Sequence, residues 1–132
     1  MGLTEDTLRS KNILIVDDDA RNTFALSSYL EGMGMKTHVA ENGFQALDFL
    51  ENNSGIDMVL MDMMMPEMDG YEAIEAIRAN PSLKNMPVIS VTAKAMKGDR
   101  EKCLAVGASE YVSKPVDLKL LMEKMAHILN SK

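Results

Sequence analysis

The stretch that decides the fold is Ile56-Asp57-Met58-Val59-Leu60-Met61-Asp62-Met63-Met64-Met65-Pro66-Glu67-Met68-Asp69-Gly70. Asp57 to Met61 read as a short apolar strand of the kind that parallel sheets bury on both faces. The strand ends on a carboxylate, Asp62. Pro66 then stops regular structure and Asp69-Gly70 signals a turn. An acid therefore stands where a buried strand passes into a loop, the edge at which open parallel α/β sheets bind their ligands. Taken alone, an Asp in that place also serves as a cap or a turn residue. The rest of the chain decides between these readings.

Before this strand come two others. Asn12 to Val16 is a continuous apolar run that leads into Asp17-Asp18-Asp19. Met35 to Ala40 is more polar, as an edge strand would be. Between them, Leu26, Leu30 and Met33 recur at helical spacing, predicting a helix over 20–33 that Gly32 and Gly34 close. A second helix is predicted over 43–52 with Phe44, Leu47 and Leu50 inward. After Asp62, a helix over 71–79 carries Ala73, Ile74 and Ile77 and stops at Asn80-Pro81. Pro87 to Val91 is a fourth strand that runs into Thr92. A helix follows from Lys97-Gly98-Asp99 to about Gly107. Glu110 to Ser113 is a fifth strand ending at Lys114-Pro115. The last helix, over 117–129, takes Asp117 as N-cap and turns Leu118, Leu121, Met122, Met125, Ile128 and Leu129 to one face. Residues 1–10 read as a polar tail, and 11–132 as one domain. Strands alternating with helices predict an α/β fold, a five-stranded parallel sheet flanked by five helices.

The 132 residues suit one domain with a sizeable core. A net charge of −6 excludes the basic footprint of a nucleic-acid binder and disfavours anionic membranes. No apolar run reaches the ~18 residues of a membrane span, and no signal peptide is evident. The single cysteine, Cys103, forms no intramolecular disulfide, so a cytoplasmic protein is the simpler expectation, with Cys103 a buried or half-buried helix residue. The thirteen methionines read as core filler and adaptable surface.

In a parallel sheet all strands present their C-terminal ends at one edge. Strand one brings Asp17 and Asp18 there, strand three Asp62, strand four Thr92 and strand five Lys114. Three carboxylates crowded together repel unless a cation joins them. A hard divalent ion with oxygen ligands, Mg²⁺ above all, meets that need. A metal beside a hydroxyl and an ammonium makes a phosphoryl-binding set, in which Asp62 is left as a nucleophile for an aspartyl-phosphate. For each residue alone a plainer reading exists: Lys114 as a buried ion pair with Asp62, Thr92 as an ordinary strand residue. Four strand ends agreeing is what favours the chemical one.

Four motifs carry a resemblance: Ile-Leu-Ile-Val-Asp17-Asp18, Met-Asp62-Met-Met-Met-Pro-Glu-Met-Asp-Gly, Val91-Thr92-Ala93 and Gly107-Ala-Ser-Glu-Tyr-Val-Ser-Lys114-Pro115. From about Lys11 to Ser131 the chain resembles the response-regulator receiver domains of two-component signalling and phosphorelays. The resemblance implies a flavodoxin-like fold with sheet order 2-1-3-4-5. It implies Mg²⁺ held by Asp17, Asp18, Asp62 and the backbone carbonyl of Met64. It implies that Asp62 accepts phosphoryl from the phosphohistidine of a histidine kinase or histidine phosphotransfer protein, with Thr92 and Lys114 binding the phosphoryl group. It further implies a cis Lys114-Pro115 peptide and a switch in which Tyr111 changes rotamer with Thr92. Asp19 is not a usual ligand in that family. Met64 and Lys94 occupy the places that flank the path of hydrolytic water. Thr92 to Cys103 is similar to receivers of hybrid histidine kinases. Neither a nucleic-acid nor a membrane partner is expected, and Leu120 is a candidate for the face that meets an output partner.

Three rivals share parts of this pattern. Haloacid-dehalogenase-type phosphohydrolases also use a strand-end Asp, but Asp17-Asp18-Asp19-Ala20 lacks the Thr or Val that follows their acid pair. Flavodoxin-like cofactor binders share the sheet order, but no Gly- and Thr-rich phosphate loop follows strand one. A degenerate receiver acting purely as an interaction module is disfavoured by the full acid, Thr and Lys set.

Overall fold

The computed structural model describes residues 7–65, 68–92 and 98–130. Within them the strands are β1 (Asn12–Val16), β2 (Lys36–Ala40), β3 (Met58–Asp62), β4 (Val88–Thr92) and β5 (Glu110–Ser113). The helices that alternate with them are α1 (Ala20–Gly32), α2 (Gly43–Asn52), α3 (Gly70–Ala79), α4 (Asp99–Ala105) and α5 (Leu118–Asn130). All strand pairs are parallel, in the order β2-β1-β3-β4-β5. The expected doubly wound sheet is therefore present, and its order puts β3, with Asp62, in the centre. Every residue of β3 and β4 is buried. The polar β2 lies at one edge, with Lys36 and Val39 exposed, Thr37 and His38 half-buried and only Ala40 buried.

Each face of the sheet has its own core. Leu14, Val16, Val59 and Met61 face α2, α3 and α4, meeting Ala46, Leu50, Ile74, Ile77 and Cys103. Ile13, Ile15, Leu60 and Ile89 face α1 and α5, meeting Leu30, Leu121, Met122 and Met125. Methionine is a principal filler of both, as Met58, Met61, Met63 and Met125 are at most 1% exposed. Cys103 is fully buried.

Two expectations need correction. Phe44 does not point inward: it is 56% exposed. The buried stripe of α2 is Gly43, Ala46 and Leu50, and Phe44 lies one residue, about 100°, away from it. Gly43 fits because a Cβ there would meet the Met68 side chain at 2.6 Å. The stretch read as a polar tail also contributes to the core. Leu8 is fully buried, and the chain after it is fixed by bonds from Lys11 N to Leu8 O and from Ser10 N to Gly34 O. Leu3 and Leu8, five apart in a polar stretch, set neither a helical nor a strand period, which is why the burial of Leu8 is not visible in the sequence.

Helix starts follow ordinary capping chemistry. Asp19 accepts from Arg21 N, Asn42 from Gln45 N and Asp117 from Leu120 N. Asp69 and Glu72 form a reciprocal capping box at α3. Among the described residues no helix is long and apolar enough to cross a membrane.

Candidate functional site

The C-terminal edge of the sheet gathers the acids. Asp17 follows β1, and its position is fixed on two sides: its N–H donates to Ala40 O at the end of β2, and its Oδ1 accepts from Asp19 N at 2.9 Å. Asp62 is the last residue of β3 and only 4% exposed. Its Oδ1 accepts from Met64 N at 3.0 Å. Asp18 stands next to Asp17 but is exposed. One carboxylate oxygen from each of Asp17, Asp18 and Asp62 lies within 4.8 Å of the others.

Lys114 enters this group from the end of β5. Its Nζ is 3.3 Å from Asp17 Oδ2 and 3.8 Å from Asp62 Oδ2. Its own N–H donates to Thr92 O at 2.7 Å, so the β4 and β5 ends are tied directly. The Lys114-Pro115 peptide is cis. Thr92 is buried at the end of β4, opposite Ser113 in register. The sheet thus brings Asp17, Asp18, Asp62 and Lys114 within contact distance, with Thr92 adjoining through the main chain. Met64 lies at the mouth, with its side chain 58% exposed. Tyr111 is not among them. It sits lower on β5, opposite Ser90, and packs against the α2/α3/α4 core. Lys94 falls outside the described residues.

Electrostatics follow from this crowding. The pKa of Asp62 is pushed up to about 6, first by burial and further by the neighbouring Asp17 carboxylate, against the lowering influence of Met64 N–H and Lys114. Among the described residues a single ammonium faces three carboxylates, so this cluster carries surplus negative charge. Hard oxygen donors in excess of local positive charge are what Mg²⁺ selects. The donor set therefore fits a divalent cation.

Two contributors to the site have roles that the sequence reading does not assign. Gly70 opens α3 because a Cβ there would come within 2.7 Å of Asp62 O and Met63 Cα. The helix start can approach the Asp62 main chain only without a side chain. Asp19 caps α1 while its amide holds Asp17, a double use hidden in a run of three acids.

Comparison with known proteins agrees with this geometry. The family model for the response regulator receiver domain matches residues 13–126. The signal transduction histidine-protein kinase BarA of Escherichia coli is 36% identical over 115 residues, covering 87% of this chain but 12% of the kinase. The chain thus spans about an eighth of that relative's length. The polar-differentiation response regulator DivK of Brucella anthropi is 34% identical over 119 residues, covering 90% of this chain and 96% of DivK. The receiver domain of a Pseudomonas aeruginosa sensor histidine kinase, crystallised with a magnesium ion coordinated in its active-site cleft, superposes with a TM-score of 0.84. It is 32% identical, with 92% of this chain and 98% of that one covered. By sheet order, strand-end acids and matched family model alike, the chain belongs to the response regulator receiver domains of two-component signalling.

Proposed function

We propose that this receiver takes a phosphoryl group from a phosphohistidine onto Asp62, using Mg²⁺, and that the modification alters its partner-binding surface. The observation that carries the reading is the convergence of the Asp17, Asp18 and Asp62 carboxylates within 4.8 Å, with Lys114 Nζ reaching both buried acids. Asp17, Asp18, Asp62 and the main-chain carbonyl of Met64 would hold the metal; a magnesium ion is coordinated in the active-site cleft of the Pseudomonas relative. When bound, Mg²⁺ supplies positive charge to the equatorial oxygens of the transferring group. An Asp62 oxygen attacks phosphorus; the new O–P bond forms as the P–N bond to the donor imidazole breaks. Lys114 neutralises a second oxygen and Thr92 donates a hydrogen bond to a third. Thr92 and Tyr111 then form the switch, with the output surface following α4, β5 and α5.

The donor is a histidine kinase or a histidine phosphotransfer protein, consistent with the kinase and regulator relatives. We place the reaction in the cytoplasm. The test is intact-mass analysis after incubation with acetyl phosphate and Mg²⁺. Wild type should gain one acid-labile phosphoryl group and Asp62→Asn none. Labelling of Asp62→Asn to the wild-type extent would refute the assignment.

A further inference from the structure

We propose that Glu110 and Lys124 are positioning residues for Tyr111, and that their junction with Arg100 holds α4 and α5 together in the form seen here. The inference rests on the reading of Asp62 as phosphoacceptor and Tyr111 as the residue that responds.

Among the described residues β5 is the last strand of the sheet, and one side of it meets no further strand. On Tyr111 both main-chain groups are taken by side chains. Its N–H donates to Glu110 Oε1 at 2.9 Å, and its C=O accepts from Lys124 Nζ at 3.0 Å. The same Glu110 oxygen lies 3.4 Å from Lys124 Nζ on α5 and 3.9 Å from Arg100 Nε on α4. One carboxylate oxygen is therefore shared by the backbone of β5, a cation from α4 and a cation from α5.

The pairs differ in weight. The Glu110 and Lys124 side chains are each 25% exposed, so their attraction is only partly screened, whereas Arg100 is 59% exposed. The Glu110–Lys124 pair is the anchor, and Arg100 is the lighter tether that brings α4 to it. Tyr111 packs against the core that contains Cys103 of α4, so its backbone is held from the α5 side and its ring from the α4 side. Any rotation of that ring proceeds against a backbone fixed by Glu110 and Lys124. Loosening the fixture lowers the cost of the alternative arrangement, and a two-state element responds by a shift in populations.

The test uses protein carrying 3-fluorotyrosine, with the Tyr111 signal assigned by Tyr111→Phe, and ¹⁹F NMR with and without beryllofluoride and Mg²⁺. Glu110→Gln keeps the shape and an acceptor for the Tyr111 N–H while removing the charge. Without beryllofluoride, its Tyr111 signal should move towards the wild-type beryllofluoride position by roughly a third of the full displacement. Lys124→Met should move it the same way, and both should label with acetyl phosphate roughly threefold faster. Arg100→Gln, at an exposed site, should give a smaller shift in the same direction and carries the test if the other variants fail to fold. Tyr111 signals unmoved in folded variants whose Asp62 labels normally would overturn the positioning role alone. A wild-type Tyr111 signal indifferent to beryllofluoride would overturn it together with the switch reading beneath it.

Discussion

The ammonium of Lys114 stands 3.3 Å from Asp17 Oδ2, inside the acidic group that a divalent cation would enter. Among the described residues Lys114 is the cation of that group, and an incoming Mg²⁺ meets its repulsion. Lys114→Met should therefore bind Mg²⁺ more tightly, by about tenfold on Coulomb grounds. The same variant should lose phosphoryl transfer by roughly a hundredfold or more, since a preorganised charge on the transferring group is gone. Titration of Mg²⁺ by NMR or calorimetry, beside acetyl-phosphate labelling, checks both halves. An unchanged or weaker Mg²⁺ affinity would show that Lys114 does not oppose the metal.

Asp62 should cost stability at neutral pH. Its pKa is raised to about 6, above the value of the unfolded chain, mainly by burial. The folded form thus holds the proton more tightly, and the stability linked to it is complete below about pH 4 and lost as pH rises through 6. In metal-free buffer Asp62→Asn should be more stable than wild type at pH 7 to 8, by on the order of 2 kcal/mol. That advantage should fade towards pH 4. Melts in EDTA across this range test it, and a difference independent of pH would contradict the assignment of the shift.

The lifetime of the aspartyl-phosphate should depend on Met64. Its side chain is exposed beside Asp62 and offers no strong acceptor to an attacking water. Slow self-dephosphorylation is expected. Met64→Glu and Met64→Asn should each speed phosphoryl loss by roughly tenfold, since each supplies an acceptor that orients the attacking water and the Glu carboxylate can also take its proton. Decay of the phosphorylated protein after donor removal is the measurement, and rates at or below wild type would place the control elsewhere.

Two glycines should respond oppositely to alanine. At Gly70 a Cβ would press on Asp62 O, which is main chain and cannot move aside. Gly70→Ala should destabilise the fold by about 2–3 kcal/mol, as overpacking does. At Gly32, in the last turn of α1, a Cβ meets nothing within 4 Å. Gly32→Ala should stabilise by roughly 0.5–1 kcal/mol through chain entropy. Urea unfolding of both variants gives the comparison, and equal effects would mean that packing at Asp62 is not the constraint.

What could be read in advance followed from period and strand ends. Runs such as Ile13–Val16 and Met58–Met61 are too apolar for an open face, so two buried central strands and the edge they share were legible, and with them Asp17, Asp18, Asp62, Thr92 and Lys114. The cap at Asp117 was legible because side-chain chemistry is local there, whereas Asp69-Gly70 read as a turn and is the cap and first residue of α3. Phe44 was misjudged because an aromatic is expected inside, yet helix phase decided otherwise. Leu8 and the Glu110–Lys124 pair went unseen for another reason: each depends on segments distant in the chain, such as Leu8 against the α1/α5 core. Charged residues at spacing 14 carry no period by which to pair them.

Arg78 gives the fold a mechanical asymmetry. From the end of α3 its guanidinium donates to Lys84 O, Met86 O and, at 2.8 Å, Gly107 O, just beyond the C-terminus of α4. Gly107 has φ +115°, and a Cβ there would strike Arg78 Cγ at 2.7 Å, so this seat admits only glycine. The far end of α4 is thereby bolted to the loop that feeds β4. Its near end begins at Gly98, itself at φ +93°, on the side of the sheet edge where Thr92 lies. With Gly107 seated by Arg78 and only the exposed Arg100 tether near its other end, α4 should act as a lever about Gly107, so that a push near Gly98 tilts the helix instead of translating it.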